Sequence, residues 1–142
     1  MRNRSSAVFL TVCVRGRRPL LARPDIHEIL IAAWRAADQW IVGRYVLMPD
    51  HLHMVCAPAE ATTASLAQWV RFWKGRSSKI WPFAAEKPVW QQDFWDRQLR
   101  CGESYTKKWQ YIVNNPVRAG LCTRAEDWPF QGEIVEFRFH AG

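Results

Sequence analysis

The stretch WIVGRYVLMPDHLHMVCA, residues 40–57, decides the fold of this chain. Residues 40–48 and 51–57 are apolar segments rich in β-prone residues, and the dipeptide Pro49-Asp50 between them is typical of a turn. Two strand-like segments joined by so short a turn predict a β-hairpin. The hairpin provides the centre of a sheet, and the other segments are assigned around it.

One strand and one helix are predicted before the hairpin. Residues 6–14 are apolar and rich in β-branched residues, which is typical of a central strand. A helix is predicted over residues 25–39, and Asp25 with Glu28 resembles a capping box at its start. The apolar residues of this helix recur at helical spacing and are Ile26, Leu30, Ala33 and Ala37.

A second helix and a further strand are predicted after the hairpin. Ser65 and Gln68 form another capping-box pattern, and the helix that follows carries one apolar stripe. The stripe consists of Leu66, Trp69, Val70 and Trp73. Residues 90–99 are assigned to a fourth strand with mixed faces.

The order of elements is strand, helix, strand, strand, helix, strand, which is the split βαβ arrangement. The sequence therefore predicts an α+β fold of the ferredoxin-like type, an antiparallel sheet with helices packed on it. A length of 142 residues with 49% hydrophobic residues suits a single domain over residues 1–142. Because the chain has neither a long apolar run nor a signal-peptide pattern, we expect a cytoplasmic protein.

The composition indicates an acidic partner. The formal net charge of +7 favours binding to a polyanion such as nucleic acid. Nine tryptophans exceed the needs of a small core, so some could stack on bases while most pack inside. The four cysteines are scattered without a C-x-x-C pair and are expected to be buried free thiols. They are Cys13, Cys56, Cys101 and Cys122.

The most distinctive short motif is His51-Leu52-His53 at the start of the second hairpin strand. Successive side chains of a strand point to opposite faces, so the two imidazoles share one face, about 7 Å apart along the backbone. They could then converge on one metal ion. The motif alone leaves metal binding and coincidence open, and the chain lacks the spacing of a zinc enzyme. Imidazole with oxygen ligands would suit Mg²⁺ or Mn²⁺ bound together with phosphate.

A third helix is predicted after Gly102, ending at Asn115 because Pro116 disfavours helical geometry in the residue before it. Its apolar stripe consists of Tyr105, Trp109, Ile112 and Val113. Tyr111 lies off this stripe, and Asn115 is its neighbour one turn later. A tyrosine can attack a phosphodiester when a metal ion polarises the phosphate. From the helix alone, a surface tyrosine followed by a helix-end asparagine is the simpler interpretation.

Taken together, five segments resemble the REP-associated tyrosine transposases of the single-tyrosine His-hydrophobe-His superfamily. The segments are YVLMPDHLHMV (45–55), WVRFWKGRSSKIW (69–81), VWQQDFWDRQLR (89–100), ESYTKKWQYIVNNPVRAGLC (103–122) and AEDWPFQGEI (125–134). The match covers nearly the whole chain in order and spacing. The resemblance implies a ferredoxin-like domain that cleaves and rejoins bacterial single-stranded DNA, often hairpin-forming, without an external energy source.

The resemblance also implies roles for individual residues. His51 and His53 match the metal-binding pair, Tyr111 the nucleophile, and Asn115 a polar residue on the metal side. The expected cofactor is Mg²⁺ or Mn²⁺, and the expected product is a 5′-phosphotyrosine. A homodimer is compatible with the sequence, with Tyr111 serving its own histidine pair or that of a partner subunit, and a bacterial enzyme of this kind would work at the nucleoid.

Basic residues are candidates for DNA phosphate contacts on charge and position, although a solvated basic face would look the same. They are Arg71, Lys74, Arg76, Lys79, Arg97, Arg100, Lys107 and Arg118. Two other functions remain open. A module that only binds single-stranded nucleic acid would explain the charge and the aromatic residues. A metal-dependent hydrolase with water as nucleophile would cleave DNA without a protein-linked intermediate.

Overall fold

The computed structural model of the chain describes residues 7–99 and 102–137, without the side chains of residues 102–104. The strands are β1 (Val8–Cys13), β2 (Trp40–Leu47), β3 (His51–Pro58), β4 (Trp95–Gln98) and β5 (Gln131–Glu133). The helices are α1 (Pro24–Ala36), α2 (Leu66–Lys79), α3 (Gly102–Val113) and the short α4 (Asn115–Arg118). Single 3-10 turns lie at Arg15–Arg17, Ala84–Glu86 and Ala125–Asp127.

The five strands form one sheet in the order β4-β1-β3-β2-β5, and every neighbouring pair is antiparallel. The first four strands have the ferredoxin-like order, because β3 inserts between β1 and β2, which α1 connects. The predicted α+β fold is confirmed. Strand β5, which pairs with the outer edge of β2, was not predicted.

The hairpin at residues 40–57 is also confirmed. Leu47 pairs with Leu52 across the turn, and the Met48 N–H donates to the His51 carbonyl oxygen over 2.8 Å. The pairing register shifts between Val42 and Tyr45, where β2 contains a bulge or irregularity. Past this point the two strands stay paired as far as Trp40 and Pro58, so the ladder extends from the turn to the outer ends of the hairpin.

The two faces of the sheet carry different cores. Alternate residues of β1 and β3 point into an apolar cluster that includes α1 and α2. Its members include Leu10, Val12, Leu52, Met54, Trp69 and Trp73. The opposite face carries a smaller cluster that includes Phe9, Val46, Val55, Trp109 and Trp128. Because β-strand side chains alternate, His51 and His53 belong to the second face, the one that α3 covers.

The start of α2 is as predicted and the start of α1 is not. The Gln68 N–H donates to Ser65 Oγ over 3.1 Å, and the Ser65 N–H donates to Gln68 Oε1 over 2.8 Å, which is a complete capping box. Helix α1 instead begins at Pro24, and the Asp25 carboxylate accepts from the Ile26 N–H. Proline suits the first helical position because its missing N–H has no intrahelical partner there, and it moves the start one residue earlier.

The third helix and fourth strand are shorter than predicted. Helix α3 ends at Val113, and Pro116 lies in the first turn of α4, where a proline is tolerated for the same reason. Strand β4 covers only Trp95–Gln98, because the chain at residues 91–93 turns its carbonyl oxygens to the Lys74 ammonium. Earlier in this segment, Trp90 contributes a single bridge to Val14.

The cysteines follow the prediction where they are described. Cys13 and Cys56 are buried free thiols, and burial raises the pKa of both. Cys122 is free and half-buried, and Cys101 lies outside the described residues. None of the helices in the described ranges combines the length and apolar character needed to cross a bilayer.

Candidate functional site

The histidine pair lies in the middle of the sheet. In the β1–β3 ladder, His53 pairs with Thr11 and His51 pairs with Cys13. The two imidazole ring centroids are 4.9 Å apart and the rings are nearly perpendicular. The alternation expected from the sequence is therefore present, and both rings lie on the face covered by α3.

Each imidazole is oriented by a hydrogen bond at its Nδ1 atom. His51 Nδ1 donates to Asp50 Oδ1 over 2.7 Å, and His53 Nδ1 is 2.9 Å from Thr11 Oγ1. Arg17 Nε in turn donates to the second Asp50 oxygen over 2.9 Å. Such outer partners fix the ring orientation of histidine ligands in metal sites. Nε2 is therefore the nitrogen that each ring can offer to a metal ion.

The charge state of His53 suits ligation. Burial, with a smaller effect of neighbouring His51, lowers the pKa of His53 to about 4, so this ring is neutral at pH 7. Burial would raise the pKa of Asp50, but hydrogen bonds from His51 and Arg17 outweigh it and hold that pKa below its usual value. A neutral imidazole is the form that binds metal ions.

Tyr111 projects from α3 into solvent beside the histidines. Its side chain is 66% exposed, and it lines a cavity of about 680 Å³ together with His53 and Thr11. The other two tyrosines are packing residues, as expected. Tyr45 is buried, and Tyr105 stacks on Phe9 at a centroid distance of 6.1 Å. Tyr111 is thus the tyrosine that a substrate can reach in this cavity.

Arg118 holds the end of α3 from the short helix α4. Its guanidinium carbon lies 3.8 Å from the centroid of the Tyr111 ring. The Nη2 atom donates to the Tyr111 carbonyl oxygen over 2.6 Å and also to Asn115 Oδ1. One cation therefore contacts the ring and backbone of Tyr111 and the amide of Asn115. Sequence reasoning placed Arg118 among the phosphate contacts and missed its contacts with Tyr111. These contacts depend on the break between α3 and α4, which the sequence did not predict.

The histidine pair presents two ring nitrogens, the Nε2 atoms, that are free of the Nδ1 hydrogen bonds described above. Within residues 7–99 and 102–137, no group of three or more His, Cys, Asp or Glu side chains is arranged to hold a metal. Asn115 Oδ1 accepts from Arg118, and Asn115 is not among the described residues that line the cavity of Tyr111. Two oriented imidazoles fit a divalent cation that takes its other ligands from water and phosphate. Asn115 as a third ligand stays a prediction.

The basic residues predicted to contact DNA fall into separate places. Arg97 and Lys107 line the cavity of Tyr111 and His53, together with Lys108, which was not predicted. Three others are exposed on α2, which packs against the opposite face of the sheet. These are Arg71, Arg76 and Lys79.

The remaining basic residues are placed differently. Lys74, also on α2, is half-buried and donates to the carbonyl oxygens of residues 91–93 at 2.8 to 3.4 Å. Burial lowers the pKa of its ammonium group. Arg100 lies outside the described residues. The basic side chains that line the cavity with Tyr111 are therefore those of β4 and α3.

Thr11 and Trp95 are site residues that sequence reasoning missed. Thr11 contacts His53, and Trp95 lines the same cavity from the edge strand β4. Neither belongs to a recognisable motif. Both follow from strand register, since Thr11 pairs with His53 on one side and with Trp95 on the other.

Comparison with known proteins gives consistent relatives, although no protein-family model matches the chain. The chain is 26% identical to a REP-associated tyrosine transposase of Escherichia coli over 86% of its own length and 73% of the relative. A solved structure described as a REP-associated tyrosine transposase bound to a REP hairpin is 25% identical. The two structures superpose with a TM-score of 0.74, and the match covers 92% of this chain and 78% of the other. A candidate transposase structure from Deinococcus radiodurans, at 17% identity and a TM-score of 0.55, shares the fold over 76% of this chain and 88% of its own.

In fold and sequence the chain is similar to tyrosine transposases, which are DNA nicking and rejoining enzymes. Within this class it is a relative of the REP-associated tyrosine transposases. The resemblance stated from the five sequence segments is confirmed.

Proposed function

We propose that this chain cleaves and rejoins single-stranded DNA at hairpin-forming repeats through a covalent bond to Tyr111. The observation that carries the proposal is that exposed Tyr111 and half-buried, oriented His53 line one cavity. A nucleophile and a candidate phosphate-activating group therefore face the same cavity. A protein that only binds DNA has no need of this combination.

The histidines are the residues that would hold a divalent cation. His51 and His53 would bind Mg²⁺ or Mn²⁺ through Nε2, and the amide oxygen of Asn115 is the proposed third protein ligand. When bound, such an ion polarises the scissile phosphate and stabilises the charge that develops on it. Asp50 and Thr11 keep the two rings in the orientation that this requires.

The covalent step exchanges one phosphoester for another. The Tyr111 oxygen forms a bond to phosphorus while the bond from phosphorus to the 3′-oxygen of the preceding nucleotide breaks. The phenol proton passes to water in the open cavity, and the departing 3′-oxygen takes up a proton. The products are a 5′-phosphotyrosine and a free 3′-hydroxyl. Attack by another 3′-hydroxyl reverses the step and joins two strands, so no nucleotide cofactor is consumed.

The substrate proposal rests on charge and on one relative. Arg97, Lys107 and Lys108 place positive charge around the cavity, in a chain of net charge +7. Lysine and arginine contacts to phosphates supply much of the affinity for DNA. The relative of known structure is bound to a REP hairpin, and we propose the same kind of DNA for this chain.

A gel assay tests the proposal. The protein is incubated with Mn²⁺ or Mg²⁺ and hairpin oligonucleotides taken from repeats of the genome that encodes it, labelled at the 5′ or the 3′ end. We expect a metal-dependent protein-linked band that carries the 3′ label, because the protein joins the 5′ end of the downstream fragment. The band should disappear in Tyr111→Phe and His51→Ala and persist in Tyr105→Phe, the matched tyrosine control on the same helix.

Other outcomes identify the other functions. An adduct that persists in Tyr111→Phe would show that the nucleophile is wrong. Cleavage without an adduct would indicate a hydrolase with water as nucleophile. Tight binding without cleavage across several hairpins would indicate a binding module.

A further inference from the structure

Trp95 is a large aromatic side chain that the core does not use. It is 53% exposed on the edge strand β4. Neither of the two apolar clusters formed by the described residues includes it. It instead lines the cavity that contains Tyr111 and His53. An exposed tryptophan inside a candidate active-site cavity points to a ligand with a flat apolar surface.

Strand register fixes where this tryptophan lies. Thr11 of β1 pairs with His53 on one side and with Trp95 on the other. Directly opposed residues of an antiparallel ladder share a face of the sheet, so the three side chains form one row across three strands. Two strand spacings amount to about 10 Å, which places Trp95 near the histidines without contact with them. The indole is therefore a wall of the site rather than a support for the imidazoles.

The surroundings favour a nucleotide over other flat ligands. Arg97 lies two residues after Trp95 on the same strand and lines the same cavity, as do Lys107 and Lys108. A phosphate near these cations leaves its base free to lie on a neighbouring aromatic ring, the arrangement that single-strand binding proteins use. A base inside a duplex is stacked and paired, and its flat surface is not available to a side chain.

We propose that Trp95 forms a stacking subsite for one unpaired base close to the scissile phosphate. This inference rests on the proposed cleavage at Tyr111 and deepens it. The subsite requires the DNA strand to be unpaired beside the cut and sets the position of the phosphate relative to Tyr111. Stacking is tolerant of base identity, so Trp95 selects single-stranded structure and not sequence.

The test combines protein and DNA changes. Hairpin oligonucleotides carry an abasic residue at one flanking position at a time, and binding is measured in a Tyr111→Phe background so that the DNA stays intact. At one position we expect the abasic change to weaken binding about tenfold or more, and Trp95→Ala to weaken binding of the intact DNA by a similar factor. The two changes together should weaken binding little further, because they remove the same contact.

Further variants separate stacking from general damage. Trp95→Phe should retain most of the affinity, and 2-aminopurine at the same position should lose fluorescence on binding only when residue 95 is aromatic. Phe72→Ala is the matched control, since Phe72 is 52% exposed on α2 at the opposite face of the sheet. It should bind each oligonucleotide as the Tyr111→Phe parent does.

The adduct assay, run in parallel with Tyr111 present, distinguishes the two proposals. Adduct formation by Trp95→Ala at the rate of Phe72→Ala, with equal sensitivity of both to every abasic position, would overturn the subsite and leave cleavage intact. Coupling between Trp95 and one abasic position, with no adduct from the wild type, would support the subsite and overturn the cleavage proposal.

Discussion

The two faces of the sheet differ in how completely the helices cover them. The face under α1 and α2 is closed by apolar side chains, with Trp69 and Trp73 almost fully buried. The face under α3 is only partly covered and leaves a cavity of about 680 Å³ that both His53 and Tyr111 line. Alternation along the same strands supplies both faces. One ladder can therefore carry a stabilising core and a reactive surface whose residues can be changed separately.

The largest expected effect is the loss of activity without loss of stability when the Tyr111 hydroxyl is removed. Tyr111→Phe removes only an exposed hydroxyl, so the free energy of unfolding should stay within about 0.5 kcal/mol of the wild type. Formation of the DNA adduct should be lost entirely. Denaturant unfolding and the labelled-hairpin assay measure the two quantities. A stability loss comparable with that of a core substitution would contradict the separation.

The reverse pattern is expected on the closed face. Trp73→Ala should lower the free energy of unfolding by about 3–5 kcal/mol, because a fully buried indole leaves a cavity. Protein that remains folded should still form the adduct, since Trp73 contacts the sheet from the side opposite Tyr111. Trp73→Phe keeps a large ring and should lose much less. Adduct formation that falls far below the folded fraction would show that the two faces are coupled.

The pH dependence of stability tests the half-buried histidine. The pKa of His53 is about 4 in the folded protein, against an ordinary value of about 6.5 when unfolded. Between these values the unfolded chain binds a proton that the folded chain does not. Stability should therefore fall as pH drops from about 6.5 to 4, by at most about 3 kcal/mol from this residue.

The matched variant isolates that contribution. In the presence of a chelator, His53→Gln should show a shallower loss of unfolding free energy than the wild type over the same pH range. Groups common to both proteins contribute to both slopes, so the difference between the slopes reports on residue 53. Equal slopes would show that His53 is not held neutral by burial.

How much of this could be predicted differs between the two faces. The closed face follows from periodicity, because Leu66, Trp69, Val70 and Trp73 recur at helical spacing and a strand buries alternate residues. On the open face, the histidine pair and Tyr111 were identified by motif, but the cavity that His53 and Tyr111 share depends on how α3 crosses the sheet. The spacing of residues along the sequence does not show how α3 lies across the sheet.

The site residues that sequence reasoning missed lie far along the chain from the histidine pair. Thr11 contacts His53 across 42 residues of chain, and Trp95 joins the same row from another strand. Strand β5 was missed because three residues, Gln131–Glu133, are too few to show alternation. The early end of α3 depends on the turn before α4, which a proline rule placed two residues late.

The smallest expected effect concerns Arg118, for which sequence and structure suggest different roles. As a phosphate contact, Arg118→Ala would weaken DNA binding and reduce its salt dependence by about one counterion, and Arg118→Lys would restore both. As a residue that positions Tyr111 through its ring and backbone, Arg118→Ala should leave the dissociation constant nearly unchanged and slow adduct formation about tenfold.

Lysine distinguishes the two roles of Arg118 because it keeps the charge but cannot reproduce the planar group over the tyrosine ring. Arg118→Lys should therefore remain slow in adduct formation while binding DNA normally. Arg124→Ala serves as the control, since Arg124 is an exposed arginine that pairs with Glu126. If Arg118→Lys recovers the full rate, the positive charge alone is sufficient, and the planar guanidinium is not needed to position Tyr111. If it stays slow, the guanidinium of Arg118 positions Tyr111 for the reaction. The break between α3 and α4 makes this possible, because it brings Arg118 back over the last turn of α3.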